Sequence, residues 1–416
     1  MENTIVSIDY TKKTRKELVD ICKTKQIKGY TGKKKNELIA LITGQFDTAL
    51  SNSIIPTNII VPPNKVGRLN YIGSKFQLLD WITEIIKEKT AWSSFADKRI
   101  ADLFAGTGIV SHHFRMQNAS IISNDAELYS SIITHAFTRS TYTDLCKTAI
   151  MQLQSDLSEN KHSNTIGFIT EKYSPHNGNE RKFFTIENAQ RIDYIRQRLE
   201  VLKTELELCD DEYKFILASI IICADAVSNV PAVYGCFLKN FKAKAMKNLC
   251  LKPIHMIELL SDNSRTYNLD VLSDELITAV NRGTDLVYLD PPYNERQYSK
   301  NYFPLNIIAK TPEQLIGEAP LKGKTGIPVD CFISPFCKKG TVVQDAFEKL
   351  FKELNSKWIF LSYNSESIVK KDKMMELMSK YGTVSVVERE YKRFKSFEYN
   401  QDIQIKEYLF CLEKFI

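Results

Sequence analysis

Two apolar strands that each end in an unusual turn constrain the fold of this chain most. The first strand, which begins at Ile100, leads into the segment Asp102–Gly108, with the sequence DLFAGTG. The second, Leu286–Leu289, leads into Asp290–Tyr293, with the sequence DPPY. Glycines let the backbone turn sharply after a strand and approach a ligand closely, whereas two prolines end a strand and hold an extended turn. The two turns predict a nucleotide-binding α/β domain.

Strand and helix patterns alternate from Lys65 onward. A long, mostly helical stretch from about Asp144 to Arg265 interrupts this alternation, which resumes at the second turn. We predict strands at residues 99–104, 120–124, 285–290 and 358–363, and a hairpin of residues 383–390 and 403–412. The predicted fold class is therefore α/β, with a parallel sheet closed by a hairpin and interrupted by a helical insertion.

A basic segment near the N-terminus differs in charge from the rest of the chain. Residues 11–37 contain ten Lys or Arg and three Asp or Glu, in a chain whose net charge is +6. The remainder is close to neutral, and a concentrated basic segment favours contact with a polyanion. Two helical patterns, Arg15–Lys23 and Lys35–Thr43, flank the turn Gly29–Gly32 and together resemble a SAP-type nucleic-acid-binding module. The alternatives are a solvated charged surface and a helical hairpin that packs on the main domain.

Composition argues against export, a membrane span and a metal site. The longest apolar stretch, Phe215–Ala226, is shorter than the roughly 20 residues that cross a bilayer. The polar N-terminus has no apolar signal region. The nine cysteines are scattered without a CxxC pair, and the histidines form no ligand cluster. We therefore expect no bound metal, and free thiols in the reducing cytoplasm.

The glycine turn favours S-adenosylmethionine over NAD as the ligand. Asp102 stands just before the turn, where a cationic ligand group is welcome. The third glycine of the dinucleotide fingerprint is missing, because Ser111 and His112 occupy that region. Asp125 follows the next strand, 19 residues beyond Gly106, and is placed to accept hydrogen bonds from ribose hydroxyls. An aspartate that only caps the following helix is the alternative.

The second turn suits the exocyclic amine of a nucleobase. It holds the Asp290 carboxylate, the Pro291 carbonyl and the Tyr293 ring together, which gives two acceptors for the amine N–H groups and an aromatic face for the base. Withdrawing N–H density makes the delocalised amine a better nucleophile. Because a base inside a duplex cannot reach such a turn, it must be flipped out.

With these motifs the chain resembles the D12-class (Dam-like) DNA adenine-N6 methyltransferases in which the cofactor motif precedes the catalytic one. The segment Tyr71–Lys75 is similar to the family's N-terminal cofactor motif, Asp102–Gly108 to its glycine turn and Asp290–Tyr293 to its catalytic loop. The string Asp290–Tyr298 and the segment Ala232–Gly235 resemble restriction-system modification enzymes of the NlaIII and FokI type. The basic N-terminal module is not part of the core family pattern.

The resemblance implies a class I S-adenosylmethionine-dependent methyltransferase fold. It also implies direct methyl transfer from S-adenosylmethionine to N6 of a flipped-out adenine in double-stranded DNA, by a monomer whose cognate restriction endonuclease, where one exists, acts separately. In the family pattern Tyr71 and Lys75 contact the methionine end of the cofactor and Asp270 lies near its adenine. The implied cofactor-binding residues are Tyr71, Lys75, Asp102, Phe104, Gly106, Asp125, Asp270 and Asp290, and the implied catalytic residues are Asp290, Pro291, Pro292 and Tyr293.

The resemblance also divides the chain into a two-part core around an insertion. We expect the SAP-like module at residues 1–45, a linker at 46–64, the core at 65–143 and 266–416, and the target-recognition insertion at 144–265. The predicted DNA-contacting residues are Lys33, Lys34, Lys35, Lys239, Lys242 and Arg296.

Three further expectations concern DNA contact. Lysines of residues 239–252 are expected on a short helical stretch, and a second basic set is formed by Arg181, Lys182, Arg191, Arg196 and Arg198. Either set contacts phosphates or simply covers a solvated helix face. Residues 294–339 are predicted to form a long loop that closes over the extruded base.

Three other functions stay open from the sequence. Cytosine-N4 methylation follows the same logic, although that chemistry is usually associated with Ser in place of Asp290. RNA methylation is the second alternative. The third is a catalytically silent DNA-binding protein that has kept the scaffold.

Overall fold

The computed structural model describes residues 13–25, 35, 38–39, 42, 67–69, 71–260, 262–318, 320–392 and 404–415. The chain divides into two compact units, Met1–Ile59 and Ile60–Ile416.

The first unit contains helix α1 (Arg15–Thr24). A capping box begins this helix: the Thr14 hydroxyl accepts the Glu17 N–H, and the Glu17 carboxylate accepts the Thr14 N–H. Leu18 and Cys22 are buried against Leu38 and Ile42, which lie in helical positions. The predicted pair of helices is therefore confirmed at the described positions. Lys35 is helical and exposed, whereas Lys33 and Lys34 lie outside the described residues.

A seven-stranded sheet forms the centre of the second unit. Its strands are β1 Arg99–Asp102, β2 Ser120–Asn124, β3 Arg265–Tyr267, β4 Leu286–Leu289, β7 Trp358–Asn364, β8 Gly382–Lys392 and β9 Gln404–Lys414, and a separate small hairpin pairs β5 Leu321–Lys322 with β6 Ile327–Pro328. The order is β3-β2-β1-β4-β7-β9-β8, with β3, β2, β1, β4 and β7 parallel and β9 and β8 antiparallel. The predicted α/β fold with a mostly parallel sheet and a closing hairpin is confirmed.

The helices that the structure describes in this unit are α2 Leu79–Thr90, α3 Ile109–Arg115, α4 Leu128–Thr138, α5 Asp144–Ser158, α6 Phe168–Tyr173, α7 Ile186–Glu205, α8 Asp210–Ala226, α9 Asp274–Val280, α10 Tyr298–Ala309, α11 Pro312–Ile316, α12 Thr341–Glu353 and α13 Lys371–Ser379. Short 3-10 turns occur at Lys75–Leu78, His176–Gly178 and Pro335–Cys337. None of the described helices is both long enough and apolar enough to cross a membrane.

The two faces of the sheet are both covered, because successive residues of a strand point to opposite sides. Ile100 packs with Ile82 and Phe114 on the side of α2 and α3. Its neighbour Ala101 packs with Phe347 on the side of α12. Burial on both faces explains why β4, with the sequence LVYL, is a short apolar run without polar alternation.

A third core lies within the helical region. Helix α8 is almost entirely buried and contacts α4, α5, α7 and α10. The apolar stretch that includes Phe215 is thus a buried helix, as its sequence indicated. The helical prediction for residues 144–265 holds to Ala226, beyond which the chain runs in turns and irregular segments.

Two predictions of secondary structure, for residues 294–339 and 239–252, were wrong. Residues 294–339 do not form one long loop: α10 and α11 lie within them, and Phe303 and Leu305 of α10 are buried in the helical core. The glycines and prolines of this segment suggested a loop, but apolar burial holds α10 as a helix even around Pro304, with non-helical backbone at Tyr302. Residues 239–252 form turns rather than a helix.

Candidate active site

A cavity of about 1340 Å³ lies where the carboxyl ends of β1, β2, β4 and β7 meet. Parallel strands end at the same edge of a sheet, and the neighbours β1 and β4 come from distant parts of the chain, so the two turns face each other across one crevice. Every residue predicted to bind cofactor or to catalyse lines this cavity, as does Arg296.

The glycine turn after β1 brings the backbone close to its neighbours. Gly106 and Gly108 have φ angles of 54° and 71°, in the left-handed region that favours glycine. A Cβ on Gly106 would lie 3.2 Å from the Tyr71 ring, and a Cβ on Gly108 would lie 2.8 Å from the Thr134 hydroxyl. The Gly106 N–H donates to Asp125 Oδ2 at 2.8 Å, which joins the turn to the end of β2.

Asp102 is a buried carboxylate with one partner missing. Ser111 Oγ donates to its Oδ2 at 2.7 Å, whereas Oδ1 is buried without a hydrogen-bond partner among the described residues. Burial raises the pKa of Asp102 to about 7, although the Ser111 hydrogen bond acts against this shift. Asp102 also lines the cavity, and a buried carboxylate oxygen without a donor is suited to a cationic or N–H-bearing ligand group.

Two acids stand after β2. The Asp125 carboxylate accepts the N–H groups of Gly106 and Glu127, and burial nevertheless raises its pKa. Glu127, which the sequence analysis did not single out, is buried beside the cavity and accepts an N–H of Asn306 at 2.6 Å. Burial, reinforced by Asp125, raises the pKa of Glu127 to about 8.

The turn after β4 holds an ion pair with the Tyr71–Lys75 segment. Lys75 Nζ lies 2.8 Å from Asp290 Oδ1 and also donates to the Gly73 carbonyl at 2.9 Å. The Tyr293 hydroxyl donates to the same Asp290 oxygen at 2.9 Å. Burial raises the pKa of Asp290, while Lys75 lowers it. The sequence predicted each of these three residues at the site but not that they bond to one another.

Glu407 on β9 adds a second carboxylate to this centre. It lies opposite Asn364 in the β7–β9 register, lines the cavity and is 6% exposed. Burial raises the pKa of Glu407, and Lys75 lowers it. Glu407 is not among the residues predicted from the sequence. The available signal was a glutamate on the face of the strand that it shares with Ile405, Leu409 and Cys411, all of which are buried.

Aromatic rings form another part of the cavity wall. Tyr71 stacks on Tyr302 at 4.7 Å between centroids and tilts against Tyr298 at 5.5 Å. Phe104 makes an edge-to-face contact with Phe336 at 5.1 Å. Tyr71 therefore packs between α10 and the glycine turn, and this packing fixes its ring.

Comparison with known proteins identifies the family. The sequence model of the D12 class N6 adenine-specific DNA methyltransferases matches residues 71–377, which include both turns and most of the cavity. The chain belongs to this family. It is an adenine-specific DNA methyltransferase, and the cavity is where its two signature turns meet.

Several curated relatives of this methyltransferase match over most of the chain. The type II methyltransferase M.CviAII of Paramecium bursaria Chlorella virus 1 is 39% identical over 83% of the chain and 98% of its own length. M.NlaIII of Neisseria lactamica is 38% identical over 79% of the chain and 93% of its own length. M.FokI of Planomicrobium okeanokoites is 33% identical over 83% of the chain and 53% of its own length. No solved structure matched the chain significantly.

The residues predicted to contact DNA, and Asp270, differ from one another in exposure and in hydrogen bonding. Lys239 and Arg296 are exposed, whereas the Lys242 ammonium donates to the Val230 carbonyl and burial lowers the pKa of Lys242. Asp270 is exposed at the cavity rim, where its Oδ1 accepts the Leu272 N–H at 3.0 Å.

The second basic set does not form a free cationic face. Arg196 is buried and donates to the carbonyls of Ile308 and Lys310, and buried Arg191 pairs with Glu187. Arg198 pairs with Glu205, and Arg181 donates to backbone carbonyls that include Lys324. The predicted alternatives, phosphate contact or a solvated helix face, are therefore both wrong for Arg191 and Arg196, because these buried guanidinium groups satisfy carbonyls and acids within the fold.

Proposed function

We propose that this methyltransferase transfers a methyl group from S-adenosylmethionine to N6 of an adenine flipped out of double-stranded DNA, on a class I methyltransferase fold. The observation that carries the proposal is the meeting of an unpartnered Asp102 oxygen and the Asp290–Tyr293 turn in one cavity. One end of that cavity suits a cationic cofactor, and the other suits a base amine.

The residues around the glycine turn fit this cofactor. S-adenosylmethionine supplies an electrophilic methyl group when it is bound. We place its ammonium group at Asp102, where Oδ1 lacks a donor. Asp125 has lone pairs left for ribose hydroxyls after accepting two backbone N–H groups. The left-handed backbone at position 106 favours glycine, and because glycine has no Cβ a ligand can approach the turn closely.

The remaining proposed contacts surround these. Lys75 keeps one of its three ammonium N–H groups for the cofactor carboxylate, since two already go to Asp290 and Gly73. Tyr71 and Phe104 would line the pocket, and Asp270 at the rim would meet the adenine of the cofactor.

At the other end, the turn after β4 would hold the target amine. Asp290 and the Pro291 carbonyl accept its two N–H groups, Pro292 keeps the turn extended, and Tyr293 stacks on the base ring. Asp290 is not proposed as a strong general base, because an amine proton becomes acidic only as a methyl group is gained. Positioning and electrostatics would supply most of the acceleration.

DNA contact is proposed at three places. The basic N-terminal segment with Lys33, Lys34 and Lys35 would bind phosphates, and residues 144–265 would form the target-recognition region. Lys239 and Arg296 are exposed and available for DNA. Lys242 remains in the proposal, because its ammonium donates to the Val230 carbonyl and keeps further N–H groups for a phosphate. The names of the relatives support a modification role in a restriction system. The proposal also includes a methyltransferase that acts as a monomer, with any endonuclease acting separately.

Nucleoside mass spectrometry of treated DNA tests this function. The wild-type chain with S-adenosylmethionine should yield N6-methyladenine, and Asp290→Ala should yield none. Asp274→Ala, which removes an exposed carboxylate of α9, is the matched control and should remain active. N4-methylcytosine in the product, or full activity of Asp290→Ala, would contradict the proposal.

A further inference from the structure

Two tyrosines of helix α10 hold the backbone of Ile72, three residues before Lys75. The Tyr302 hydroxyl accepts the Ile72 N–H at 3.0 Å, and the Tyr298 hydroxyl donates to the Ile72 carbonyl at 3.5 Å. The rings of the two tyrosines stack at 6.0 Å between centroids. Residues 71–74 belong to no helix or strand, so these hydroxyls satisfy backbone groups that regular structure would otherwise pair.

The hydroxyl of Tyr302 is buried, and its ring is held in place. Tyr302 is 1% exposed, and its ring stacks on Tyr71 at 4.7 Å between centroids. If the hydroxyl were removed, the Ile72 N–H would face an apolar ring in place of its acceptor, which is less favourable than the hydrogen bond. Tyr302 therefore sets the position of the Ile72 backbone.

The backbone that Tyr302 holds leads directly to the Lys75 ammonium. Lys75 Nζ donates to the Gly73 carbonyl at 2.9 Å and lies 2.8 Å from Asp290 Oδ1. A shift of residues 72–73 would move the Gly73 carbonyl and, with it, the ammonium. Because hydrogen bonds and charge attraction weaken with distance, a displacement of about 1 Å would weaken the pair with Asp290.

Helix α10 also bonds to a third part of the cavity wall. Asn306, four residues after Tyr302, donates to Glu127 Oε2 at 2.6 Å. The side-chain oxygen of Asn306 accepts the Tyr129 N–H at 3.1 Å. The helix begins five residues after the turn that ends at Tyr293. One helix therefore connects the segment before the sheet, the segment after β2 and the turn after β4.

We propose that Tyr302 is a positioning residue of methyl transfer: its hydroxyl fixes the backbone before Lys75 and thereby holds the Lys75 ammonium against Asp290. Tyr302 lies behind the Tyr71 ring, outside the residues that line the cavity. It therefore acts through this segment and touches neither cofactor nor base. The inference rests on the proposed function, in which Lys75 meets the cofactor carboxylate and Asp290 meets the target amine.

Single-turnover methylation of unmethylated DNA, with DNA and S-adenosylmethionine both saturating, tests the inference. Tyr302→Phe keeps the ring on Tyr71 but removes the acceptor for the Ile72 N–H, and should slow transfer by about 30-fold. The dissociation constant for S-adenosylmethionine should rise about fivefold, as expected for one misplaced hydrogen-bonding group. The dissociation constant for DNA should stay within about twofold of wild type, because Tyr302 does not hold this ligand.

Ser356→Ala is the matched control for a merely structural loss. The buried Ser356 hydroxyl donates to the Thr284 carbonyl at 3.0 Å, and both residues precede strands, at the sheet edge opposite the cavity. Ser356→Ala should lower the midpoint of urea unfolding about as much as Tyr302→Phe does, but should leave the transfer rate and the cofactor affinity unchanged. Equal losses of rate in the two variants, or a Tyr302→Phe rate within about twofold of wild type, would overturn the inference.

A double-mutant cycle on cofactor affinity tests whether Tyr302 acts through Lys75. Adding Tyr302→Phe to Lys75→Met should raise the dissociation constant for S-adenosylmethionine by at most about twofold over Lys75→Met alone. A further increase of about fivefold would mean that Tyr302 acts on the cofactor by another route, and would overturn the inference. Full activity of Asp290→Ala would instead overturn the proposed function, so the two failures are distinguishable.

Discussion

The ammonium of Lys75 lies 2.8 Å from the carboxylate of Asp290, in a pair whose side chains are only 5% and 17% exposed. This contact joins the segment that precedes the sheet to the turn after β4. It ties the proposed cofactor end of the cavity to the proposed target end, so the charge at Asp290 depends on a residue from the other end. Because such a pair is held in place by burial, removing one partner leaves the other without compensation.

Replacing Lys75 should therefore lower both stability and activity. Lys75→Met leaves a buried Asp290 carboxylate without its cation, and the free energy of unfolding should fall by about 3 kcal/mol at pH 8. The loss should shrink as the pH is lowered, because Asp290, with its pKa raised further, becomes protonated and neutral in the folded state. Urea denaturation at pH 8 and pH 5 measures both effects. Lys373→Met, which breaks an exposed pair with Glu376, is the control. An equal loss at both pH values would contradict the argument.

Asp102 should make the folded protein less stable as the pH rises, and replacing Asp102 should remove this dependence. Burial raises the pKa of Asp102 from 3.8 to about 7, so ionising it costs folding free energy above pH 7, and that cost disappears as the pH falls below 4. Relative to wild type, Asp102→Asn should gain roughly 2 to 4 kcal/mol of stability between pH 4 and pH 8. Denaturant titrations of both proteins across this range measure the difference. If the difference in unfolding free energy between the two proteins stayed constant across this range, ionising Asp102 would not destabilise the fold.

The substitution Asp102→Asn should also weaken the binding of S-adenosylmethionine. If Asp102 receives the ammonium group of S-adenosylmethionine, Asp102→Asn should raise the dissociation constant by at least about tenfold, equivalent to about 1.4 kcal/mol. Calorimetry at pH 8 measures this, with Asp274→Ala as a control. Unchanged affinity would place the ammonium group elsewhere.

The glycine turn should tolerate no side chain. Gly108→Ala combines a φ of 71° with a Cβ only 2.8 Å from Thr134 Oγ1, so strain and overlap should together lower the free energy of unfolding by more than about 2 kcal/mol. Gly178→Ala is the matched control: its φ is 78°, but nothing lies within 4 Å of its Cβ. It should cost only the backbone term, about 1 kcal/mol. Equal losses in urea unfolding would mean that packing at Gly108 contributes nothing.

The basic N-terminal segment should contribute to DNA affinity and not to cofactor binding. Deleting residues 1–63 removes the excess of positive charge between positions 11 and 37. DNA affinity should fall, and the plot of log affinity against log salt should become less steep, because fewer counterions are released. Fluorescence anisotropy across a salt series measures this, and calorimetry with S-adenosylmethionine should be unchanged. An unaltered slope would remove the case for phosphate contact by this segment.

Much of the site could be predicted from sequence because its chemistry is local. A strand followed by Asp102–Gly108, or by Asp290–Tyr293, places an acid and a constrained turn next to each other wherever the segment folds. The strand pattern also predicted a parallel sheet, and in the structure one cavity is lined by both turns. Longer-range features were predicted less well: β3 was not foreseen, and α10 was expected to be loop because its glycine- and proline-rich surroundings hid its buried face.

By itself, the sequence determined the two turns, the acids that follow the strands and the concentration of positive charge near the N-terminus, since neighbouring residues carry these properties in any fold. The tertiary structure alone decided that Lys75 and Tyr293 share one oxygen of Asp290, that Glu407 lines the same cavity and that Arg196 is committed to backbone carbonyls. These relationships join residues that are far apart in the chain. They depend on strand order and burial, which set the distance and dielectric surroundings of each charge and which no local pattern encodes.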